Sequence, residues 1–278
     1  MKRIQRKEAL RSTIENAIIA LSRFVYVGIQ TNLEPIRVAR ASYALQFSGC
    51  SLTTGFPWRD VSQYLITNQH EDGGWNDVEE TLWCIAYLRY FADTFGSAYE
   101  NATRWLKSVQ LPCGAWGKSS RDYPRITLTA LASALAPDIS SESSLKWLAY
   151  QWEIDYTNTT KLTYKGALYL LAHNDHKCAD RELINKTSAY LVNEQEPDGG
   201  FGPWRGHPLG SDPWSTGIVI WGLSKLRNYA PVHTIYSAVS WLQRRQLHDG
   251  LWPYHYLDDG TAMALIGIVS ALPVLRVN

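Results

Sequence analysis

Apolar residues along the chain fall into segments of two kinds, which alternate from one end to the other. Segments of the first kind are apolar on almost every side, and a helix of this composition must be buried all round. They are residues 38–45, 81–91, 126–135, 162–171, 216–226 and 261–272. The stretches before them carry apolar residues at helical spacing and polar residues on the opposite face. The alternation predicts six hairpins, each with a half-exposed outer helix and a buried inner helix.

A glutamine recurs about every forty residues and separates the two helices of each predicted hairpin. The six glutamines are Gln30, Gln69, Gln110, Gln151, Gln195 and Gln246. Four of them are preceded by an aromatic–leucine pair and followed by glycine and an aromatic residue; the Gln30 and Gln151 turns lack the glycine and aromatic. We expect the glycine to supply the left-handed backbone that ends a helix. We expect the glutamine to bond free backbone groups there, and the aromatic ring to cover the junction.

Six buried helices surrounded by six half-exposed ones predict an all-α fold, an (α/α)6 toroid with repeat junctions at the six glutamines. Closing the ring leaves no apolar end that needs a cap. The repeat extends over residues 1–278, so one domain is predicted. No stretch shows the strict alternation typical of strands.

Composition narrows the class of protein further. Hydrophobic residues make up 45% and charged residues 19% of the chain, which is typical of a globular protein. A formal net charge of +1 without a long Lys/Arg run argues against nucleic acid as a partner. The four cysteines are too scattered for a disulfide framework. The basic N-terminus lacks a cleavage site, and the apolar run 262–275 is short and interrupted, so a cytoplasmic protein is predicted, with attachment to a membrane surface left open.

The glutamine turns resemble the QW motif, Q-x-x-x-G-x-W, of the squalene/oxidosqualene cyclase and class II terpene cyclase superfamily. Protein prenyltransferase β subunits share that fold. The resemblance covers essentially the whole chain, with four good copies at Gln69, Gln110, Gln195 and Gln246. It implies an α/α toroid whose inner helices begin around one mouth of a central cavity. Activity must be argued from the site, because one fold hosts many functions.

Acidic residues open the second inner helix. The stretch Asp77-Val78-Glu79-Glu80-Thr81 resembles the D-x-D-D-T motif of class II cyclases, with glutamate in place of the two later aspartates. The resemblance implies that Glu79 is the acid that protonates an alkene or epoxide, and that Asp77 and Glu80 hold its geometry. Clustered carboxylates in a dry cavity raise one another's pKa, which suits a proton donor. Acids in a first helical turn also simply stabilise the helix, so both interpretations stay open.

Further candidates lie on or near the starts of the inner helices. A carbocation needs electron-rich walls, and aromatic ring faces can provide them. The aromatic candidates are Trp83, Tyr87, Tyr164, Trp214 and Trp221. Acids at other inner-helix starts that could contact a ligand are Asp212, Asp258 and Asp259. An insertion over residues 203–213 adds Arg205 and His207 at the same mouth, and loops longer than a repeat requires often serve binding.

The zinc site of the prenyltransferase branch is not matched. That site resembles Asp-x-Cys at one inner-helix start and a histidine at the next, but here Trp214 and Gly260 occupy the cysteine and histidine positions. Such a site needs thiolate and imidazole ligands. A second cluster with ligand chemistry consists of His173, Asp175, His176 and Cys178. A helix C-terminus also favours such residues, so no metal is assigned.

These features favour an enzyme of the class II terpene cyclase type that acts on a linear isoprenoid or isoprenoid-bearing substrate in the cavity. The expected ligand is thus an isoprenoid or another apolar small molecule. The alternatives are a toroid that binds a lipid, peptide or partner protein without this chemistry, and a prenyltransferase β-like subunit. No cofactor is predicted, and a divalent ion such as Mg²⁺ is left open. Class II enzymes usually build the cavity between two barrels. Since only one is predicted here, either the reaction fits within a single toroid or a partner subunit completes the cavity.

Overall fold

The computed structural model of the chain describes residues 2–50, 55–158, 161–173 and 180–276. Over these residues the chain forms twelve α-helices and no strand. The helices are α1 Lys2–Gln30, α2 Pro35–Phe47, α3 Trp58–Thr67, α4 Val78–Leu88, α5 Ala92–Ser108, α6 Ile126–Leu135, α7 Glu142–Thr157, α8 Thr163–His173, α9 Arg181–Asn193, α10 Pro213–Ser224, α11 Val232–Arg245 and α12 Leu257–Arg276.

The even-numbered helices form a closed inner ring. Each packs against the next in the order α2, α4, α6, α8, α10 and α12, and α12 packs against α2 to complete the circle. Helix α10 shows why they lie inside, because almost all of its residues are buried. In the outer helix α5, by contrast, burial is confined to one face at Ala98, Ala102 and Leu106. The predicted (α/α)6 toroid, with a buried inner ring and a half-exposed outer ring, is therefore confirmed.

The glutamine of each complete turn connects that turn to the outer helix of the next repeat. Its Nε2 donates to the carbonyl of the turn glycine at 2.7–3.0 Å. The same nitrogen donates at 2.9–3.1 Å to a residue of the next outer helix, namely Ala98, Ser144, Thr234 or Thr13. The last of these bonds, from Gln246 to Thr13, joins the sixth hairpin to the first. It therefore lies across the point where the ring closes.

The turn glycine lies close to the next outer helix, and the turn tryptophan ties the two helices of its own hairpin together. Gly73 has a φ of +96°, and a Cβ there would lie 2.7 Å from the carbonyl oxygen of Asn101, so only glycine fits. The indole of Trp75 is buried and donates to the carbonyl of Leu65, while its backbone N–H donates to Thr81 Oγ1. Trp116 and Trp252 repeat this pattern. The ring thus lies between the two helices rather than over the junction.

The predicted junction at Gln151 is wrong. Gln151 lies inside α7, which continues to Thr157, and the next helix begins at Thr163. Its neighbour Trp152 is fully buried and donates its indole N–H to Thr187 Oγ1 of α9. The fourth hairpin therefore contacts the next outer helix through a tryptophan within its helix and has no glutamine turn.

Helix α12 is long and apolar enough over Leu257–Leu275 to cross a bilayer, judged by length and composition alone. The sequence-based expectation that this run is too short was made on 262–275 and missed the helix's earlier start. In the toroid, 67% of that segment is buried. Packing against α10, α11, α2 and α1 accounts for its apolar character.

We predict that Gln246→Ala lowers the free energy of unfolding by about 1–3 kcal/mol, because it leaves two partly buried carbonyls without their donor. Urea unfolding followed by circular dichroism measures this. Gln63→Ala is the matched control, since Gln63 is exposed and bonds only Thr67 of its own helix, at 3.3 Å; it should change stability by less than about 0.5 kcal/mol. Equal losses in the two variants would contradict the closing role.

Candidate active site

The inner helices surround a cavity of ≈330 Å³ to which all six contribute. Polar and aromatic residues line it near the helix starts: Arg40, Glu79, Trp83, Thr127, Tyr164, Trp214 and Tyr254. Aliphatic residues and one methionine line the rest: Leu128, Leu131, Leu168, Ile218 and Met263. The cavity is therefore apolar for most of its surface, with a small number of polar groups near its mouth.

Glu79 reaches this cavity because of how α4 begins. Asp77 has extended backbone and its Oδ1 accepts the N–H of Glu80 at 2.9 Å, so Asp77 is the N-cap. Glu79 then falls in the first turn on the cavity side, with Trp83 one turn deeper on the same face. Consecutive helical residues point about 100° apart, so Glu79 and Glu80 face different surroundings.

Burial is the main influence on the Glu79 carboxyl and raises its pKa above the ordinary value. Asp77 and Asp259 raise the pKa further, while Arg40 and Lys118 lower it. The sequence-based expectation was that clustered carboxylates in a dry cavity raise one another's pKa. In the structure, burial in the low-dielectric cavity is the larger cause.

Asp259, at the start of α12, also lies at this end of the cavity. Its Oδ1 is 2.5 Å from Nη1 of Arg40, and both side chains are largely buried. The Arg40 guanidinium also lies 5.7 Å from the centre of the Trp83 ring. Burial raises the pKa of the Asp259 carboxyl, and Arg40 opposes this rise.

Three aromatic rings form one wall of the mouth. Trp214 meets Tyr164 edge-on at 5.7 Å between ring centres and stacks with Tyr254 at 6.3 Å. Sequence reasoning missed Tyr254 and Arg40. Arg40 could have been noticed as an arginine inside the apolar segment 38–45, and Tyr254 as one of the aromatic residues between Trp252 and the start of α12.

Glu80 and Asp258 were predicted at the site, and the structure puts both elsewhere. Glu80 is 4% exposed and accepts hydrogen bonds from the backbone of Ile36 and the side chain of Asn76. It thereby caps α2, which has no side-chain cap of its own. Asp258 is buried in an ion pair with Arg37. Neither carboxylate lines the cavity.

Two of the predicted aromatic residues also lie outside the cavity lining. Tyr87 points towards the outer helices and donates its hydroxyl to the carbonyl of Trp58. Trp221 lies deeper than Ile218 on α10 and meets Phe47 of α2 at 6.0 Å. Because α12 separates these two helices in the ring, the Phe47–Trp221 contact crosses the interior and narrows it below the cavity.

The insertion over residues 203–213 does not reach the cavity lining. The exposed Arg205 bonds the carbonyl of Asn193, and His207 packs against Trp204 at 4.4 Å. Asp212 is the N-cap of α10, where both carboxylate oxygens bond Ser215, and burial raises its pKa. Of the possible ligand cluster, Asp175, His176 and Cys178 lie outside the described residues.

The fold and this cavity define the class of the protein as an α/α toroid with an acid on an aromatic-lined interior. No family model matches the chain. Drimenyl diphosphate synthase from Streptomyces showdoensis is 27% identical to it over 76% of this chain and 46% of that protein. The chain thus spans about half the length of the curated relatives it matches.

Two solved structures are similar in fold. A complex of type II terpene cyclase MstE from Scytonema with geranylgeranyl dihydroxybenzoate has a TM-score of 0.72 and 15% identity, covering 97% of this chain and 100% of that one. A possible member of the GH105 family from Klebsiella pneumoniae has a TM-score of 0.66 and 12% identity, covering 96% and 93%. In fold, the chain is therefore similar to a type II terpene cyclase.

We predict opposite effects on stability from the same change at two adjacent residues. The pKa of Glu79 is raised in the folded state, so its contribution is complete at acid pH and is lost as pH rises through the folded pKa. Glu79→Gln should therefore stabilise the protein at pH 8 but not at pH 4. Glu80→Gln should destabilise it at pH 8 by about 1 kcal/mol or more, because it weakens the α2 cap.

Urea unfolding of the wild type and both variants at the two pH values measures these effects. A Glu79→Gln variant that is less stable than wild type at pH 8 would contradict the burial of an acid with a raised pKa.

Proposed function

We propose that the protein is a class II-type terpene cyclase, which starts ring closure of a linear isoprenoid by protonation. The observation that carries this proposal is the position of Glu79, a carboxyl with a raised pKa on an apolar cavity with aromatic walls. A buried acid with a raised pKa keeps its proton to a higher pH than an exposed carboxyl does, and it can give that proton to a weak base such as an alkene.

In the proposed reaction, Glu79 transfers its proton to one carbon of a terminal alkene. The π electrons form the new C–H bond and leave a cation on the neighbouring carbon, which the next double bond of the chain attacks. Trp83, Tyr164, Trp214 and Tyr254 would stabilise the positive charge with their ring faces. Loss of a proton from the final cation ends the sequence, so product and substrate have the same mass.

Support for an isoprenoid substrate comes from the relatives. MstE, solved with geranylgeranyl dihydroxybenzoate, shares the fold, and drimenyl diphosphate synthase is 27% identical over 76% of this chain. The similarity to a GH105 member shows that the fold alone does not decide the reaction. The proposal of a cyclase reaction therefore depends on Glu79 and on the aromatic lining of the cavity.

The MstE comparison also bears on the expected partner subunit. This chain covers all of the MstE chain in that structure, so one toroid of this size accommodates an isoprenoid ligand there. We therefore propose that residues 1–278 act as one catalytic domain, and that a partner subunit is not needed to complete the cavity.

We predict that Glu79→Gln lowers turnover by at least about 100-fold, because glutamine fills the same space and has no acidic proton. The purified protein is incubated with linear isoprenyl diphosphates and with an isoprenyl dihydroxybenzoate. Products of unchanged mass are then identified by chromatography and mass spectrometry.

Glu71→Gln is the matched control, since Glu71 is an exposed carboxylate in the turn before α4; this variant should keep wild-type turnover. Full activity of Glu79→Gln would refute the mechanism. Tight binding of these compounds without any product would favour the alternative of a binding toroid.

A further inference from the structure

Arg40 lies near Glu79, the proposed acid, and its positive charge acts to lower the pKa of the Glu79 carboxyl. Its side chain lines the same cavity as Glu79. A guanidinium is always charged, and a nearby cation favours the ionised form of a carboxyl. An ionised Glu79 has no proton to donate, so an ion pair between the two would stop the proposed chemistry.

The structure shows the Arg40 charge directed elsewhere. Its Nη1 lies 2.5 Å from Oδ1 of Asp259, and among the described residues no ion pair joins Arg40 to Glu79. Trp214 is a further neighbour of Asp259 and acts to lower the pKa of its carboxyl. The charge of Arg40 is thus paired with an acid of α12, while its guanidinium also lies near Trp83 of α4.

Besides the Arg40–Asp259 pair, two charged groups act on the pKa of Glu79, and their effects have opposite signs. Asp77 caps the same helix, and Lys118 lies in the segment before α6. These two lie 3.5 Å apart, so their effects on Glu79 oppose each other. From α6, α8 and α10 the cavity receives only uncharged side chains, such as Thr127, Tyr164 and Trp214.

We propose that Asp259 is a positioning residue, which holds the Arg40 guanidinium away from Glu79 and so lets Glu79 keep the proton that it donates. This inference rests on the proposed function, in which Glu79 is the acid. It assigns Asp259 no contact with the reacting atoms.

The test is Asp259→Asn, which releases Arg40. The pKa of Glu79 should fall by about one unit or more. NMR of protein with ¹³C-carboxyl-labelled glutamate measures this titration without any substrate, and the signal is assigned by its absence in Glu79→Gln. Because turnover requires protonated Glu79, the pH at which kcat declines on the alkaline side should move down by the same amount. Asp259→Glu, which can keep the pair, should restore most of the wild-type profile.

A double-mutant cycle distinguishes two effects of Asp259 on the Glu79 titration: the effect through the position of Arg40, and the direct effect of the Asp259 charge. If Asp259 acts by holding Arg40, Asp259→Asn should shift the Glu79 titration much less when Arg40→Gln is also present. Equal shifts in both backgrounds would overturn the inference. So would an unchanged titration in the single variant.

Asp258→Asn is the matched control, because Asp258 is a neighbouring buried acid with its own arginine partner, Arg37. It should lower stability and leave the Glu79 titration in place. If the wild type forms no cyclised product but Asp259→Asn still shifts the titration, the proposed function fails and the positioning role stands. If the wild type cyclises and the titration does not move, only the positioning role fails.

Discussion

The rest of the structure depends on the two hydrogen bonds that the side-chain amide of a turn glutamine donates. One amide nitrogen holds its own turn closed and, through a second acceptor, fixes the next outer helix against it. Four of the six hairpins are linked to the next outer helix in this way, each in the same orientation. All inner helices therefore begin at the same end, and the ring closes when Gln246 reaches Thr13.

Closure has an electrostatic consequence at that end. The seam between the last and first inner helices is joined by two ion pairs, Arg37 with Asp258 and Arg40 with Asp259. Burying charges is costly unless they are paired, and here each arginine of α2 has an acid on α12. The second pair lies beside Glu79, so the closure of the ring also places a charge pair at the candidate site.

The architecture could be predicted from the sequence because it depends on local and repeated signals. Inner and outer helices differ in how much of their surface is apolar, and the glutamine turns recur in register. The predicted junction at Gln151 was wrong. A glutamine at about the right spacing lies inside a helix when the glycine and tryptophan of the complete turn are missing. The register predicts a junction only where the whole turn chemistry is present.

The site could be predicted only in part, because it depends on side-chain direction and on contacts distant in sequence. Glu79 and Glu80 differ by a single step along one helix, yet one lines the cavity and the other caps α2. Tyr87 looks like a further cavity residue on α4 but bonds Trp58 in the outer layer. Arg40 belongs to the site through Asp259, which lies more than two hundred residues later in the chain.

The proposed reaction requires an acid that keeps its proton and walls that stabilise a cation. In this cavity both depend on the apolar and aromatic lining. Apolar and aromatic walls exclude water, which raises the proton affinity of Glu79. The same walls offer ring faces that can stabilise a cation. An unpaired buried cation beside Glu79 would lower the pKa of Glu79. It would also repel the carbocation that the aromatic rings stabilise. Arg40 is paired with Asp259, and in the presence of this pair burial still raises the pKa of Glu79 although Arg40 acts to lower it.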